Sequence, residues 1–336
     1  MDTALNPDGD ITLDPTGSII GTGSIDEWHD FTWLGGILGP SGGTTVESSS
    51  DFKTDGASNK ELASNLNDMS PFTELGGGGM LQIDPGVTFD NTVGTVTLTL
   101  PLIYCYDPSS SYFINDAGGT LDVQAPSSNP TVIAGNFTNL GTLDVAGGDA
   151  LTLDNTTYGT ATQDLDGKLN LEGDLLLRGA ITSSAGLIEN SGGGTLKIGD
   201  ADSGTAGSLA LSQGATFNGN VEVTGLGTLT SAASVTNNGT LELDVGAGAT
   251  LSSYQQTSGG TLKEHAPYAG GNSSLTVTGS AQLAGDMEMD FDDGYQPQSG
   301  DAFTVLTAGS IGGHFDQVPA DMTADYGSNI VTLTQN

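Results

Sequence analysis

The densest set of side chains with chemical potential is Asp286-Met287-Glu288-Met289-Asp290-Phe291-Asp292-Asp293. In a strand, alternation turns Met287, Met289 and Phe291 inward and places Asp286, Glu288, Asp290 and Asp292 on one outer face. Successive like charges on that face repel unless water or a cation intervenes. Calcium is the natural candidate, because it accepts several carboxylate oxygens at flexible geometry. Asp200-Ala201-Asp202-Ser203-Gly204 is a second, smaller candidate through Asp200 and Asp202. Neither stretch matches an EF-hand loop, and the glycine-rich nonapeptide calcium repeat is absent. The plainer alternative for both is a solvated acidic face.

A second candidate is aromatic. Trp28-His29-Asp30-Phe31-Thr32-Trp33-Leu34 holds both tryptophans of the chain, and Trp28, Phe31 and Trp33 could form a platform for a sugar ring. The competing expectation is an apolar cap over the end of a core. The three histidines, His29, His265 and His314, lie in unrelated regions. They supply no nucleophilic triad, and no two fall at zinc-ligand spacing; Cys105 stands alone. Gly167-Lys168 is followed by leucine, which excludes a phosphate loop. Two carboxylates could in principle hydrolyse a glycoside, but among 41 acidic residues close pairs arise by chance. A lyase acting on an acidic polysaccharide would have only Arg178 and the lysines to bind its substrate.

Six basic residues against those 41 acids give a net charge of −35. Such a chain repels phosphate backbones and anionic membrane surfaces, so neither nucleic-acid binding nor membrane insertion is expected. The longest apolar run, around Val93–Tyr106, is too short to cross a bilayer as a helix and is interrupted by Pro101. Cys105 lies within it and is expected to be a buried thiol. The chain opens with neither a basic end nor an apolar stretch, so no secretory signal is visible, and a soluble protein is expected.

The elements that must position these groups follow from one recurring phrase, clearest at Gly239-Thr240-Leu241-Glu242-Leu243-Asp244-Val245. It returns at Gly119-Thr120-Leu121, Gly141-Thr142-Leu143, Gly167-Lys168-Leu169, Gly194-Thr195-Leu196 and Gly260-Thr261-Leu262. A period of about 20 to 27 residues is that of repeat architectures. With 52 glycines and 35% hydrophobic residues the chain is lean for a spherical core but adequate for stacked coils with a thin apolar layer each. The expected fold is all-β, a parallel β-helix with residues 81–336 as its body. Residues 1–80 are expected to form an N-terminal cap containing one short helix. Ser58-Asn59-Lys60-Glu61 fits a capping box, and Leu62, Leu66 and Met69 follow at helical spacing before Pro71. A β-sandwich or jelly roll stays open as the alternative.

The Gly-Thr-Leu phrases, together with the ending Gly300-Asp301-Ala302-Phe303-Thr304-Val305-Leu306, Gly312-Gly313-His314-Phe315 and Asn329-Ile330-Val331-Thr332-Leu333, resemble the passenger regions of autotransporter-like bacterial surface proteins over about residues 120–336. The resemblance implies a right-handed parallel β-helix exposed outside a cell, with adhesion or scaffolding as its role. The functional expectation is therefore a non-enzymatic, extracellular or particle-surface protein forming a rigid acidic rod. Its partners would be further copies of itself, head to tail or side by side, or cell-surface glycans. An export signal before Met1 and an outer-membrane barrel after Asn336 would be expected of that family and are not visible, which favours as runner-up a phage tail-fibre or tailspike protein recognising surface glycans; a glycan-cleaving β-helix enzyme is the third expectation.

Overall fold

In the computed structural model the described residues are 9–27, 29–47, 49–156, 161–183, 188–190, 193–268, 272–292 and 294–336. Short strands succeed one another along the chain, and among the described residues there is no helix. The protein is a parallel β-solenoid, which falls into two compact units, residues 1–175 and 176–336.

In the first unit three ladders of parallel strands run side by side. One begins with Ile11–Leu13, Phe31–Trp33, Asp51–Thr54 and Phe72–Leu75 and continues to Thr142–Val145 and Lys168–Leu171. A second joins Ser18–Gly21, Gly36–Pro40, Lys60–Leu62, Leu81–Ile83, Leu102–Cys105, Thr131–Ala134 and Ala150–Asp154. The third starts at Ile25–Glu27, Thr44–Val46 and Leu66–Asp68 and ends at Asn136–Asn139 and Gln163–Leu165. Among the described residues the ladders are already present at Ile11–Leu13.

Register explains the recurring phrase. Leu121, Leu143 and Leu169 are direct partners in successive coils, and all three are fully buried. Each such leucine contributes about 1.5–3 kcal/mol by leaving water. The preceding glycines stack as well: a Cβ on Gly141 would collide with the carbonyl oxygen of Gly119, and one on Gly167 with that of Gly141. Glycine is required there because the coils approach too closely for any side chain. Aromatic rings form a column of their own, with Phe89 and Phe113 centred 5.1 Å apart and tilted, and Phe113 and Phe137 5.9 Å apart and stacked.

The expected helix over 58–69 is instead two strands, Lys60–Leu62 and Leu66–Asp68, with Leu62 and Leu66 both buried. Asn59 Oδ1 accepts the backbone N–H of Met80, 21 residues away, so this end of the capping-box stretch serves the neighbouring coil. An isolated helix of about a dozen residues is marginal in water. Here each three-residue strand is paired on both sides, Lys60–Leu62 with Gly36–Leu38 and with Leu81–Ile83. Those non-local hydrogen bonds override the local signal.

The second unit repeats the plan. Thr195–Ile198, Asn220–Val223, Thr240–Leu243, Thr261–Ala266 and Asp286–Phe291 form one ladder. Two further ladders run through Gly207–Leu211 and Ala215–Phe217 into the long strands Gly227–Asn237, Gly248–Gln256, Leu275–Leu283 and Ala302–Gly313. Each long strand turns a corner, marked by register shifts such as those at Ser231/Ser234 and Leu251/Tyr254. At the C-terminal end the pairing becomes antiparallel: Ile330–Gln335 pairs with both Ala302–Gly313 and Met322–Tyr326. This hairpin covers an edge that would otherwise offer unpaired backbone groups.

Candidate ionic site on the second unit

The first ladder of the second unit positions the site. Thr240–Leu243, Thr261–Ala266 and Asp286–Phe291 lie in register, so Glu242 faces Lys263 and Lys263 faces Glu288, while His265 faces Asp290. Alternation sends Leu241, Leu243, Leu262, Ala266, Met287 and Met289 into the core. Their neighbours Glu242, Lys263, His265 and Asp290 project from the outer face.

There they form a continuous ionic network. Lys263 Nζ lies 2.9 Å from Glu242 Oε1 and 2.9 Å from Asp290 Oδ2. His265 Nε2 lies 2.8 Å from the same Glu242 oxygen and 3.8 Å from Asp244 Oδ1, while His265 Nδ1 is 3.0 Å from Asp292 Oδ1. The imidazole is clamped at both ring nitrogens by carboxylates from the coils on either side. Its hydrogen bond to Glu242 is the main reason that the His265 pKa rises to about 9, against the opposing effect of burial. The same bond draws Glu242 down to about 2, although burial resists this and Lys263 assists. Burial also disfavours the charge on Lys263, but its bonds to Glu242 and Asp290 outweigh that and raise its pKa. Asp244 moves the other way: burial raises its pKa, reinforced by the charge of Glu222 and only partly offset by His265.

The alternation expected of Asp286–Asp292 is present, with Met287 and Met289 buried and Glu288 and Asp290 exposed. Its carboxylates are not equivalent, however. Asp290 and Asp292 are committed to Lys263 and His265 of the preceding coil. Glu288 projects into solvent, and Asp286 is half-buried where its backbone carbonyl accepts Gln256 Nε2 at 2.8 Å. Asp200 is engaged elsewhere, accepting from Arg178 Nε at 3.0 Å and Nη2 at 2.5 Å and from Ser203 Oγ at 2.6 Å. Burial would raise its pKa, but Ser203 and Arg178 prevail and lower it. Asp202 is exposed in the adjoining turn.

The aromatic platform is corrected by burial. Phe31 and Trp33 are 0% exposed, Phe31 packs on Phe52 at 5.5 Å, and Trp33 Nε1 donates to Gly35 O. Both belong to the core because their strand lies in a ladder whose alternate positions point inward, which leaves no ring face for a sugar. Trp28 lies outside the described residues.

Glu242, Asp244, Lys263 and His265 were missed as a group by sequence reasoning. The signal that joins them is the coil length: Glu242 and His265 are 23 residues apart, and His265 and Asp292 are 27 apart. Among the described residues, Glu242, Asp244 and His265 also form a set whose ligand atoms all lie within 4.8 Å of one another. Fold and site together define a parallel β-solenoid with an outward ionic network. No protein-family model matches the sequence, and no curated protein matches it either.

Proposed function

We propose that this protein is a non-enzymatic structural or adhesive β-helix of a cell or particle surface, which presents acidic coil faces to its surroundings. The observation that carries this reading is the disposition of its acids. In the first unit Glu74, Asp122 and Asp144 project from one ladder, with Asp122 and Asp144 direct partners in successive coils. In the second, Glu222, Glu242 and Glu288 share an outward register with Lys197 and Lys263. Acids distributed along ladders suit a surface that stays hydrated, resists collapse and offers repeated contact points. The resemblance of the phrases and the ending to autotransporter-like passengers supports the extracellular placement.

Purified protein tests the reading in two measurements: solution mass and shape by light and X-ray scattering, and incubation with a panel of surface polysaccharides. Glycan or cell-surface binding without release of reducing ends is the expected result. Turnover abolished by Glu242→Gln would replace the reading with a glycan-cleaving enzyme. A compact trimer that binds surface glycans would move it to the tail-fibre class.

A further inference from the structure

The ionic network leaves charge uncompensated. Four carboxylates, those of Glu242, Asp244, Asp290 and Asp292, surround two cationic side chains, Lys263 and His265. Asp244 is the member least served: its nearest cationic atom in the network is His265 Nε2 at 3.8 Å. Side-chain exposures of 26% for Glu242, 29% for Asp244 and 15% for His265 place their ligand atoms at the solvent boundary, accessible yet partly dehydrated.

We propose that Glu242, Asp244 and His265 bind a divalent transition ion of the zinc class, with Asp292 as the outer partner that orients the imidazole. Tetrahedral zinc with bonds of about 2.0–2.2 Å holds its ligand atoms roughly 3.4 Å apart. Glu242 Oε1 and Asp244 Oδ1, at 2.8 Å and 3.8 Å from His265 Nε2, bracket that distance, and all three ligand atoms lie within 4.8 Å of one another. The fourth position is left to water. A histidine ligand characteristically gives its other ring N–H to a carboxylate, which fixes its tautomer. Asp292 occupies that place at Nδ1. The donor set also selects the metal. One imidazole nitrogen and two carboxylates suit zinc, nickel or copper, whereas calcium requires six to eight oxygens. Binding replaces the proton on His265 Nε2, which passes to the buffer, while the other proton stays on Nδ1 and is donated to Asp292 Oδ1. Lys263 is the built-in competitor, because its ammonium holds the Glu242 oxygen that the metal needs.

The test is calorimetric titration of the full chain with zinc chloride in excess calcium, which occupies carboxylate-only sites, followed by cobalt(II) absorption spectroscopy. One equivalent of zinc should bind, with a cobalt spectrum of tetrahedral intensity. Asp292→Asn should weaken binding about tenfold, and His265→Gln should remove the site. Lys263→Met should tighten it, a change that no loss of folding can mimic. Absence of a calcium-resistant equivalent, or zinc affinity unchanged in His265→Gln, overturns the proposal.

Discussion

The side-chain amide of Asn91 donates to Asn115 Oδ1 at 2.7 Å, and Asn115 repeats the bond to Asn139 Oδ1 at 2.7 Å one coil later. All three are fully buried at one corner of the first unit. Asn115 Nδ2 also reaches the Thr142 carbonyl at 3.2 Å, so the column ties side chains and backbone of adjacent coils together. Replacing Asn115 by alanine removes the donor to Asn139 Oδ1 and leaves Asn91 Nδ2 with only the Thr120 carbonyl at 3.5 Å. Each buried orphan costs about 1–3 kcal/mol, so Asn115→Ala should destabilise the fold by about 3 kcal/mol. Urea unfolding, with Asn218→Ala at an exposed turn as the comparison, checks this; equal midpoints would deny the ladder its structural role.

Asp68 stands one coil before Asn91 in the same register. Burial raises its pKa, against hydrogen bonds from Thr73 and Ser70. The sign of the pH effect follows. Below the ordinary aspartate value both states hold the proton. As pH rises through that value the unfolded chain releases it first, and the fold loses stability until the pH passes the raised folded value. Asp68→Asn should therefore stabilise the protein at neutral pH by removing a buried charge, a gain reduced by the loss of one acceptor for Ser70 or Thr73. The gain should shrink as pH falls toward the ordinary aspartate range. Unfolding midpoints across that range check it, and a gain that grows on acidification would contradict the assignment.

The solenoid was legible because Leu121, Leu143 and Leu169 recur at coil length and become direct partners. Local signals fared worse. Leu62 and Leu66 satisfy helical spacing and also fall at inward positions of two successive strands, and only pairing with Leu38 and Ile83 separates those outcomes. Phe31 and Trp33 resembled a surface platform because an inward and an outward alternate face look alike until the neighbouring coils are known. The ionic site was hidden for a related reason. Its members belong to coils of unequal length, 23 and 27 residues apart, so no fixed spacing announces them.

Cys105 is fully buried, with its thiol donating to the Asn136 carbonyl at 3.2 Å. Burial pushes its pKa up to about 12, partly offset by hydrogen bonding to Phe113 and Asn136 backbone groups. The thiolate is the reactive form, so the native protein should not react with a thiol reagent such as dithionitrobenzoate at neutral pH. Modification should follow unfolding by urea, at full stoichiometry. Rapid labelling of the native protein would mean that this corner opens readily.

The stacked glycines make the most selective prediction about the recurring phrase. A Cβ on Gly141 would meet the carbonyl oxygens of Gly119 and Asp116, and would lie 2.8 Å from Asn115 Nδ2. None of these can retreat, because the carbonyls belong to the backbone of the adjoining coil and Asn115 is held in its ladder. Gly259 occupies a turn in the other unit, where the nearest atom to an added Cβ is Asn238 O at 3.6 Å, an ordinary contact. Overpacking at rigid sites costs about 1–3 kcal/mol or more, whereas open surface substitutions stay within about 0.5 kcal/mol. Gly141→Ala should accordingly lower the unfolding midpoint sharply, and Gly259→Ala should leave it nearly unchanged. Hydrogen exchange adds a local reading: in Gly141→Ala the amides of Leu140 and Lys168, bonded to Asn115 O and Gly141 O, should lose protection first. If both variants melt together, close coil contact does not explain the recurrence of the phrase glycine.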